Sequence, residues 1–158
     1  MGIWDKLKSA KNYLTGGGVF MELFLPEVCY LRKPFFVKLY IEVENQDIDV
    51  DSIYIHILHE EKVSVPIKET KADGTKKSKR IRKSNILFEK KVLIEEDVVL
   101  EANEKYEFEI EIELPSGTYP SFIGKYSEIN WGMRAVAVKS GTNPKSDMMI
   151  FEPYYEIK

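Results

Sequence analysis

Residues 104–114 read Glu-Lys-Tyr-Glu-Phe-Glu-Ile-Glu-Ile-Glu-Leu, an almost unbroken alternation of acidic and apolar side chains. Successive side chains of a strand point to opposite faces, so this segment has one apolar face and one face of glutamates. The sequence Leu-Pro-Ser-Gly-Thr-Tyr-Pro follows at 114–120 as a turn, and a second alternating segment then runs to Lys139. The apolar positions of that second segment are Ile129, Trp131, Met133, Ala135 and Ala137. We therefore predict two half-buried strands joined by a turn rich in proline and glycine.

The same period of two recurs in residues 35–43 and 53–57. Residues 63–67 add a strand that Pro66 should restrict to a sheet edge or a bulge. The chain shows no alternation of strands with helices, which a parallel sheet would need. We predict an all-β fold, a two-layer antiparallel sandwich of roughly nine or ten strands. Its predicted core consists of Phe35, Val37, Leu39, Ile41, Ile53, Ile55, Ile57, Phe108, Ile110, Ile112, Trp131 and Met133.

One segment of the chain is strongly basic. Residues 71–83 hold seven basic side chains against the single acid Asp73, a net +6, whereas the whole chain carries −3. Asp73-Gly74 predicts a hairpin turn, and the lack of apolar alternation around it predicts a long, mobile hairpin tip over residues 69–83. Such a loop either only improves solubility or attracts anionic lipid, phosphate or nucleic acid. Nucleic acid is the least favoured partner, because the loop has no aromatic residue for base stacking. The candidate anion-binding residues are Lys71, Lys76, Lys77, Lys79, Arg80, Arg82 and Lys83.

The residue types that catalysis and metal binding need are few and scattered. His56 and His59 are the only histidines, and three positions apart on a strand they point to opposite faces, so we expect ordinary hydrogen bonds rather than a shared metal. Residues 107–113 have the spacing of a solvated strand face rather than of a cation site. No phosphate loop, nucleophile elbow or dinucleotide fingerprint occurs. We expect no catalytic residue, no cofactor and no metal site, and hence a protein that is not an enzyme.

The cysteine content indicates the compartment. Cys29 is the only cysteine, which excludes an intrachain disulfide and fits a reducing environment. Its apolar neighbours are typical of a buried thiol. The sequence contains no signal peptide and no apolar span of roughly 18 residues. We therefore expect a cytoplasmic protein.

A series of short motifs occupies residues 108–136. It consists of Leu114-Pro115, Pro120-Ser121-Phe122, Gly124, Ile129, Trp131 and Arg134-Ala135-Val136. Their order resembles the N-terminal domain of arrestin-like proteins. Residues 144–153 are similar to the closing strand of bacterial sporulation-control proteins, which share the arrestin-like sandwich. The resemblance covers most of residues 28–153 and implies an immunoglobulin-like, arrestin-like β-sandwich.

The chain divides into a short N-terminal segment and one domain. Residues 1–18 are predicted to form an amphipathic helix and a glycine linker, and residues 19–158 a single arrestin-like sandwich. Two roles are open for the helix. It packs on a sheet or covers a sheet edge of the domain, or else it anchors the protein to a membrane surface through Trp4 and Leu7.

Two functions remain open. The resemblance implies a non-enzymatic adaptor or scaffold for intracellular protein–protein interaction. Its sheet edges would bind other proteins or a second copy of the chain. The alternative is an electrostatic module that binds a membrane or polyanion through the basic loop 71–83. Most arrestin-like proteins pair two sandwiches, and this chain has room for only one. A mechanism that depends on a crevice between two domains therefore does not transfer to it.

Overall fold

The computed structural model describes residues 18–115, 121–141 and 143–155. Within these ranges the chain forms the strands β1 Val19–Phe24, β2 Phe35–Val43, β3 Ile48–Thr70, β4 Lys76–Leu100, β5 Lys105–Ile112, β6 Phe122–Ile123, β7 Ser127–Val138 and β8 Met149–Phe151. All ladders between these strands are antiparallel. One sheet has the order β1-β2-β5, and the other has the order β4-β3-β7-β6 with β8 also paired to β7. The predicted antiparallel, two-sheet architecture is confirmed.

The hydrophobic core follows from the strand faces with a period of two. In β2, Val37 and Leu39 are fully buried, whereas Phe36 and Lys38 between and beside them are exposed. All the predicted core residues are buried except Phe108 and Ile110, which are only half-buried. Both lie on β5, one of the two edge strands of the three-stranded sheet, and both pack against the buried core from its margin.

The glutamates of β5 lie on the outer, solvent-facing side of that sheet. Glu107, Glu109 and Glu111 are exposed, as the alternation predicts. The Nζ of Lys38 on β2 lies 3.7 Å from a carboxylate oxygen of Glu107. An exposed pair of this kind stabilises the fold by at most about 1 kcal/mol, so the face is a solvated surface.

The prediction of a long hairpin tip over residues 69–83 is right about the hairpin and wrong about the length of its unpaired tip. Residues 76–83 belong to β4, which pairs with β3 from Thr70–Lys76 at one end to Ile48–Leu100 at the other. Only residues 71–75 form the connecting turn. Ladder hydrogen bonds join backbone groups and do not require apolar side chains, so a polar segment continues a hairpin whose register is already set in the core.

The N-terminal predictions fall on residues that the structure does not describe. The helix, Trp4 and Leu7 all lie in residues 1–17. The division into residues 1–18 and 19–158 therefore remains a prediction. In the part of the chain that the structure does describe, no helix is long and apolar enough to cross a membrane.

The core predicts a clear contrast between two substitutions. Ile57→Ala removes a fully buried side chain and should lower the free energy of unfolding by about 2–5 kcal/mol. Glu109→Ala changes an exposed side chain and should change it by less than about 0.5 kcal/mol. Urea denaturation of both variants beside the wild type measures the difference. Equal losses of stability would contradict the assignment of the inner faces.

Candidate functional site: a projecting basic ribbon

The hairpin of β3 and β4 extends beyond the sheet to which it belongs. The pairing of β7 with β3 stops at Val63–Ser127, whereas β4 stays paired with β3 as far as Thr70–Lys76. Residues 64–82 therefore form a two-stranded antiparallel projection, here called the ribbon. At about 3.3 Å per residue, its paired part is about 20 Å long.

The turn at the tip of the ribbon is held by its own hydrogen bonds. Lys71 N donates to Thr75 O at 2.8 Å, and Gly74 N donates to Lys71 O at 2.9 Å. Gly74 has φ of +82°, a conformation that costs glycine little. Thr75 donates from its backbone N and its hydroxyl to the Asp73 carboxylate, which lowers the pKa of Asp73. The predicted Asp73-Gly74 hairpin turn is confirmed, and the one acid of the segment serves to close it.

Pro66 occupies the open side of the ribbon. Ser64 N points away from β4 and donates to Tyr126 O at 2.7 Å. Backbone groups alternate between the two sides of a strand, so position 66 faces the same way as position 64. The N–H that proline lacks would thus point away from the ladder between β3 and β4. The prediction that Pro66 restricts its strand to an edge is confirmed, since described residues beyond Val63 pair on one side only.

The two faces of the ribbon differ in chemistry. Residues opposite each other in the ladder share a face, so the pairs Pro66–Arg80 and Ser64–Arg82 lie on one side and Val65–Ile81 on the other. With the pair Lys62–Ser84 at its base, the first side is here called the basic face. Its cations are Lys62, Lys68, Lys76, Arg80 and Arg82. The opposite face carries Val63, Val65, Ile67 and Ile81, together with Glu69, Lys77, Lys79 and Lys83.

Among the described residues, each face has one ion pair, and the basic face keeps more unpaired cations than the opposite face, where Lys77 and Lys83 remain unpaired. On the opposite face, Lys79 Nζ lies 3.8 Å from a carboxylate oxygen of Glu69. On the basic face, Lys62 lies 3.5 Å from Glu60 at the base, and Arg80 donates to the Ser64 hydroxyl at 2.9 Å. Within the described ranges, no carboxylate forms an ion pair with Lys68, Lys76, Arg80 or Arg82. The basic face therefore presents cations that remain available to an external anion.

The structure separates the seven predicted anion-binding residues. Lys71 lies in the turn, and Lys76, Arg80 and Arg82 lie on the basic face. Lys77, Lys79 and Lys83 lie on the opposite face. The sequence analysis missed Lys62 and Lys68, which β3 contributes to the basic face. The observed ladder places Lys68 opposite Ser78, whereas a two-residue Asp73-Gly74 turn would place it opposite Lys79, so the turn dipeptide alone did not indicate this face.

A groove of about 470 Å³ opens where the ribbon leaves the sheet. Its charged lining consists of Glu60, Lys62, Arg82, Lys83, Lys125 and Glu128. Hydroxyl groups of Ser64, Ser84 and Ser127 line it as well. The basic face is thus continuous with a recess at the base of the ribbon, whose cations outnumber its carboxylates.

The two histidines lie on opposite faces of β3, as predicted, but in unlike surroundings. Nε2 of His56 lies 2.6 Å from a carboxylate oxygen of Glu89. His59 is fully buried and stacks on Trp131, with ring centroids 4.1 Å apart and planes 8° from parallel. Neither ring nitrogen of His59 has a hydrogen-bond partner among the described residues. The expectation of an ordinary hydrogen bond is right for His56 and wrong for His59, whose pKa is lowered by burial.

The remaining reactive groups form no second site. Cys29 is buried, and burial raises the pKa of its thiol to about 11, which keeps it protonated and unreactive. This agrees with the predicted buried thiol. Across residues 18–115, 121–141 and 143–155, no three His, Cys, Asp or Glu side chains lie close enough together to hold a metal ion.

Comparisons with known proteins identify the fold. No family model matches the chain, and no curated protein sequence matches it. The crystal structure of Spo0M, the sporulation control protein of Bacillus subtilis, aligns with a TM-score of 0.57 over 90% of this chain and 51% of that one. The fold is an arrestin-like sandwich. The resemblance seen in the sequence is thereby confirmed at the level of the fold, which is all that 14% identity supports. The chain spans about half the length of the Spo0M chain.

The buried His59 ring, which has no hydrogen-bond partner among the described residues, predicts how the free energy of unfolding depends on pH. The unfolded chain binds a proton at His59 below a pKa of about 6.5, whereas the folded chain resists it, so the free energy of unfolding should fall as the pH drops below that value. His59→Phe keeps an aromatic ring on Trp131 and removes both unsatisfied nitrogens. It should raise the free energy of unfolding by about 1–3 kcal/mol at neutral pH.

Chemical denaturation of wild type and His59→Phe between pH 5 and pH 8, a range that brackets the ordinary histidine pKa of about 6.5, tests this account. The gap between the two proteins should widen on the acidic side by up to about 1.4 kcal/mol per pH unit. A constant gap over the whole range would show that His59 does not resist protonation in the folded state.

Proposed function

We propose that the protein is a non-enzymatic intracellular adaptor that binds acidic surfaces of partner proteins with the basic face of its ribbon. One observation carries the proposal: β3 and β4 remain paired after β7 has stopped, and among the described residues they present more unpaired cations on the basic face than on the opposite face. The ribbon thus takes the place of the sheet edges that the sequence analysis favoured as binding elements.

The geometry of the basic face suits carboxylates. Arg80 and Arg82 lie two positions apart on one strand face, a spacing of about 7 Å. A guanidinium group binds a carboxylate with two parallel hydrogen bonds, which a lysine cannot do. One exposed ion pair contributes at most about 1 kcal/mol, so recognition requires several pairs at once. A paired backbone holds the cations at fixed spacing, which lowers the entropy lost on binding.

The structural neighbour supports a role of this kind. Spo0M is described as a sporulation control protein, which is a regulatory role. Carried to this chain as part of the proposal, it favours an adaptor or regulator over a metabolic enzyme. Because the chain covers only about half of Spo0M, the partners of the two proteins need not coincide.

An anionic membrane surface is the second candidate partner. The observation that favours it is the exposed Lys71 at the tip, next to the cations of the basic face. Each basic side chain near an anionic leaflet contributes about 1 kcal/mol, without any need for a shaped partner. The two candidates differ in geometry, since a lipid surface can meet either face of the ribbon, whereas a shaped protein surface meets one.

Two variants with equal loss of charge distinguish these possibilities. The basic-face variant carries Lys68→Ser, Arg80→Ser and Arg82→Ser, and the opposite-face control carries Lys77→Ser, Lys79→Ser and Lys83→Ser. We expect immobilised polyglutamate to bind the wild type and the control with similar affinity. The basic-face variant should bind about tenfold more weakly or worse, because it loses three ion pairs of about 0.5 kcal/mol or more each. All three proteins should melt at the same temperature, since these side chains are exposed.

Vesicles with and without phosphatidylserine provide the second arm of this experiment. Equal weakening of polyglutamate binding in both variants would show that net charge alone governs binding and would overturn the proposal. Salt-sensitive binding to anionic vesicles with no binding to polyglutamate would support the membrane candidate instead.

A further inference from the structure

The end of the sandwich opposite the ribbon is predominantly acidic, with Lys105 and Lys139 at its border. Residues 44–51 and 95–104 contain nine carboxylates and no basic side chain. These segments lie at the start of β3 and the end of β4, whereas the ribbon lies at the other end of the same hairpin. The acidic residues, here called the acidic end, are Glu44, Asp47, Asp49, Asp51, Glu95, Glu96, Asp97, Glu101 and Glu104. All nine are exposed.

Backbone hydrogen bonds hold the acidic end in place. Asp47 accepts a hydrogen bond from Ala102 N at 2.8 Å, and Asn103 N donates to Glu44 O at 2.8 Å. Glu104 O in turn accepts from Val43 N at 3.0 Å. The connections on either side of the sheet are therefore tied to each other, and their carboxylates are carried on an ordered backbone.

The acidic end and the basic face cannot meet within one molecule. Asp51 and Ser64 are about 40 Å apart along β3, and the strand between them is paired with both β4 and β7. Screening at physiological ionic strength reduces the interaction of exposed charges beyond about 8 Å. The two surfaces are complementary in charge, and only separate molecules can bring them together.

We infer that the basic face of the ribbon docks on the acidic end of a second copy of this chain. The inference rests on the proposed function, because it uses the same binding face and names the partner. Charge complementarity selects the second copy as the occupant. Lys68, Lys76, Arg80 and Arg82 of the basic face form no ion pair with a described carboxylate, and at the acidic end the nine carboxylates far outnumber the bordering lysines of the described chain. The ribbon of one copy meets the end of the next, so the contact is heterologous and repeats in a head-to-tail manner.

The size of the ribbon limits the strength of this contact. Two strands about 5 Å apart and about 20 Å long cover only a few hundred Å² on the partner. A stable interface buries about 800 Å² per partner. The self-association is therefore weak and reversible, and it is driven by charge and depends steeply on salt.

Sedimentation velocity over a concentration series tests the inference with four proteins. They are the wild type, the basic-face variant, an acidic-end variant with Asp49→Asn, Asp51→Asn and Glu96→Gln, and a control with Glu109→Gln, Glu111→Gln and Glu113→Gln. The control loses the same three negative charges, two of them on β5 and the third at Glu113, the residue after Ile112. At low ionic strength the wild type and the control should form species heavier than the 18.4 kDa monomer, and added salt should dissociate them. The basic-face and acidic-end variants should each associate about tenfold more weakly or not at all.

A mixture of the two defective variants gives the sharpest result. The acidic-end variant keeps an intact ribbon, and the basic-face variant keeps an intact acidic end, so the mixture should form a complex of two chains and nothing larger. A wild type that stays monomeric at low ionic strength, or a mixture that stays monomeric, would overturn the inference. If the wild type still binds polyglutamate through its basic face, only the identity of the partner is wrong. If it does not, the proposed function fails as well.

Discussion

The antiparallel pairing of β3 with β4 is the constraint on which both the core and the candidate site depend. In the body of the sandwich it places Ile53, Ile55 and Ile57 on the buried face. The same ladder then continues past the last residue of β7 and fixes which side chains share a face of the ribbon. A shift of β4 by one residue relative to β3 would move the ribbon cations of β4 to the other side. The core thus sets the register of a surface that contains almost no core residues.

The ribbon concentrates like charges, and its stability has to come from elsewhere. Val65 and Ile81 lie opposite each other on the face that carries few unpaired cations, and a cross-strand apolar pair contributes about 0.2–1 kcal/mol. The Asp73 carboxylate closes the turn, and the pair Lys79–Glu69 neutralises one lysine beside it. One face of the ribbon therefore stabilises the hairpin, which leaves the other face free to carry unpaired charge.

Hydrophobic periodicity predicted the strands that have one face packed against a second sheet. These are β2, β5 and β7, in which burial of one face requires apolar residues at alternate positions. The length of the ribbon could not be predicted from periodicity, because neither of its faces is fully buried and the hydrogen bonds of its ladder are made by the backbone. Lys62 and Lys68 were missed for a related reason, since their place beside Arg80 and Arg82 depends on register across the turn. The half-burial of Phe108 and Ile110 depends on which side chains of the other sheet cover β5, and local alternation does not encode that.

Charged residues on an exposed ribbon also have a structural explanation, because lysines on strand edges prevent pairing with other chains. That explanation requires charge along the edge, and it does not depend on which face carries the charge. The observed distribution does depend on the face. The opposite face mixes apolar side chains with the ion pair Lys79–Glu69 and two unpaired lysines, whereas the basic face has four cations with no carboxylate partner among the described residues. Mutual repulsion of these cations costs stability that edge protection alone does not demand. The asymmetry is explained when an acidic surface covers that one face.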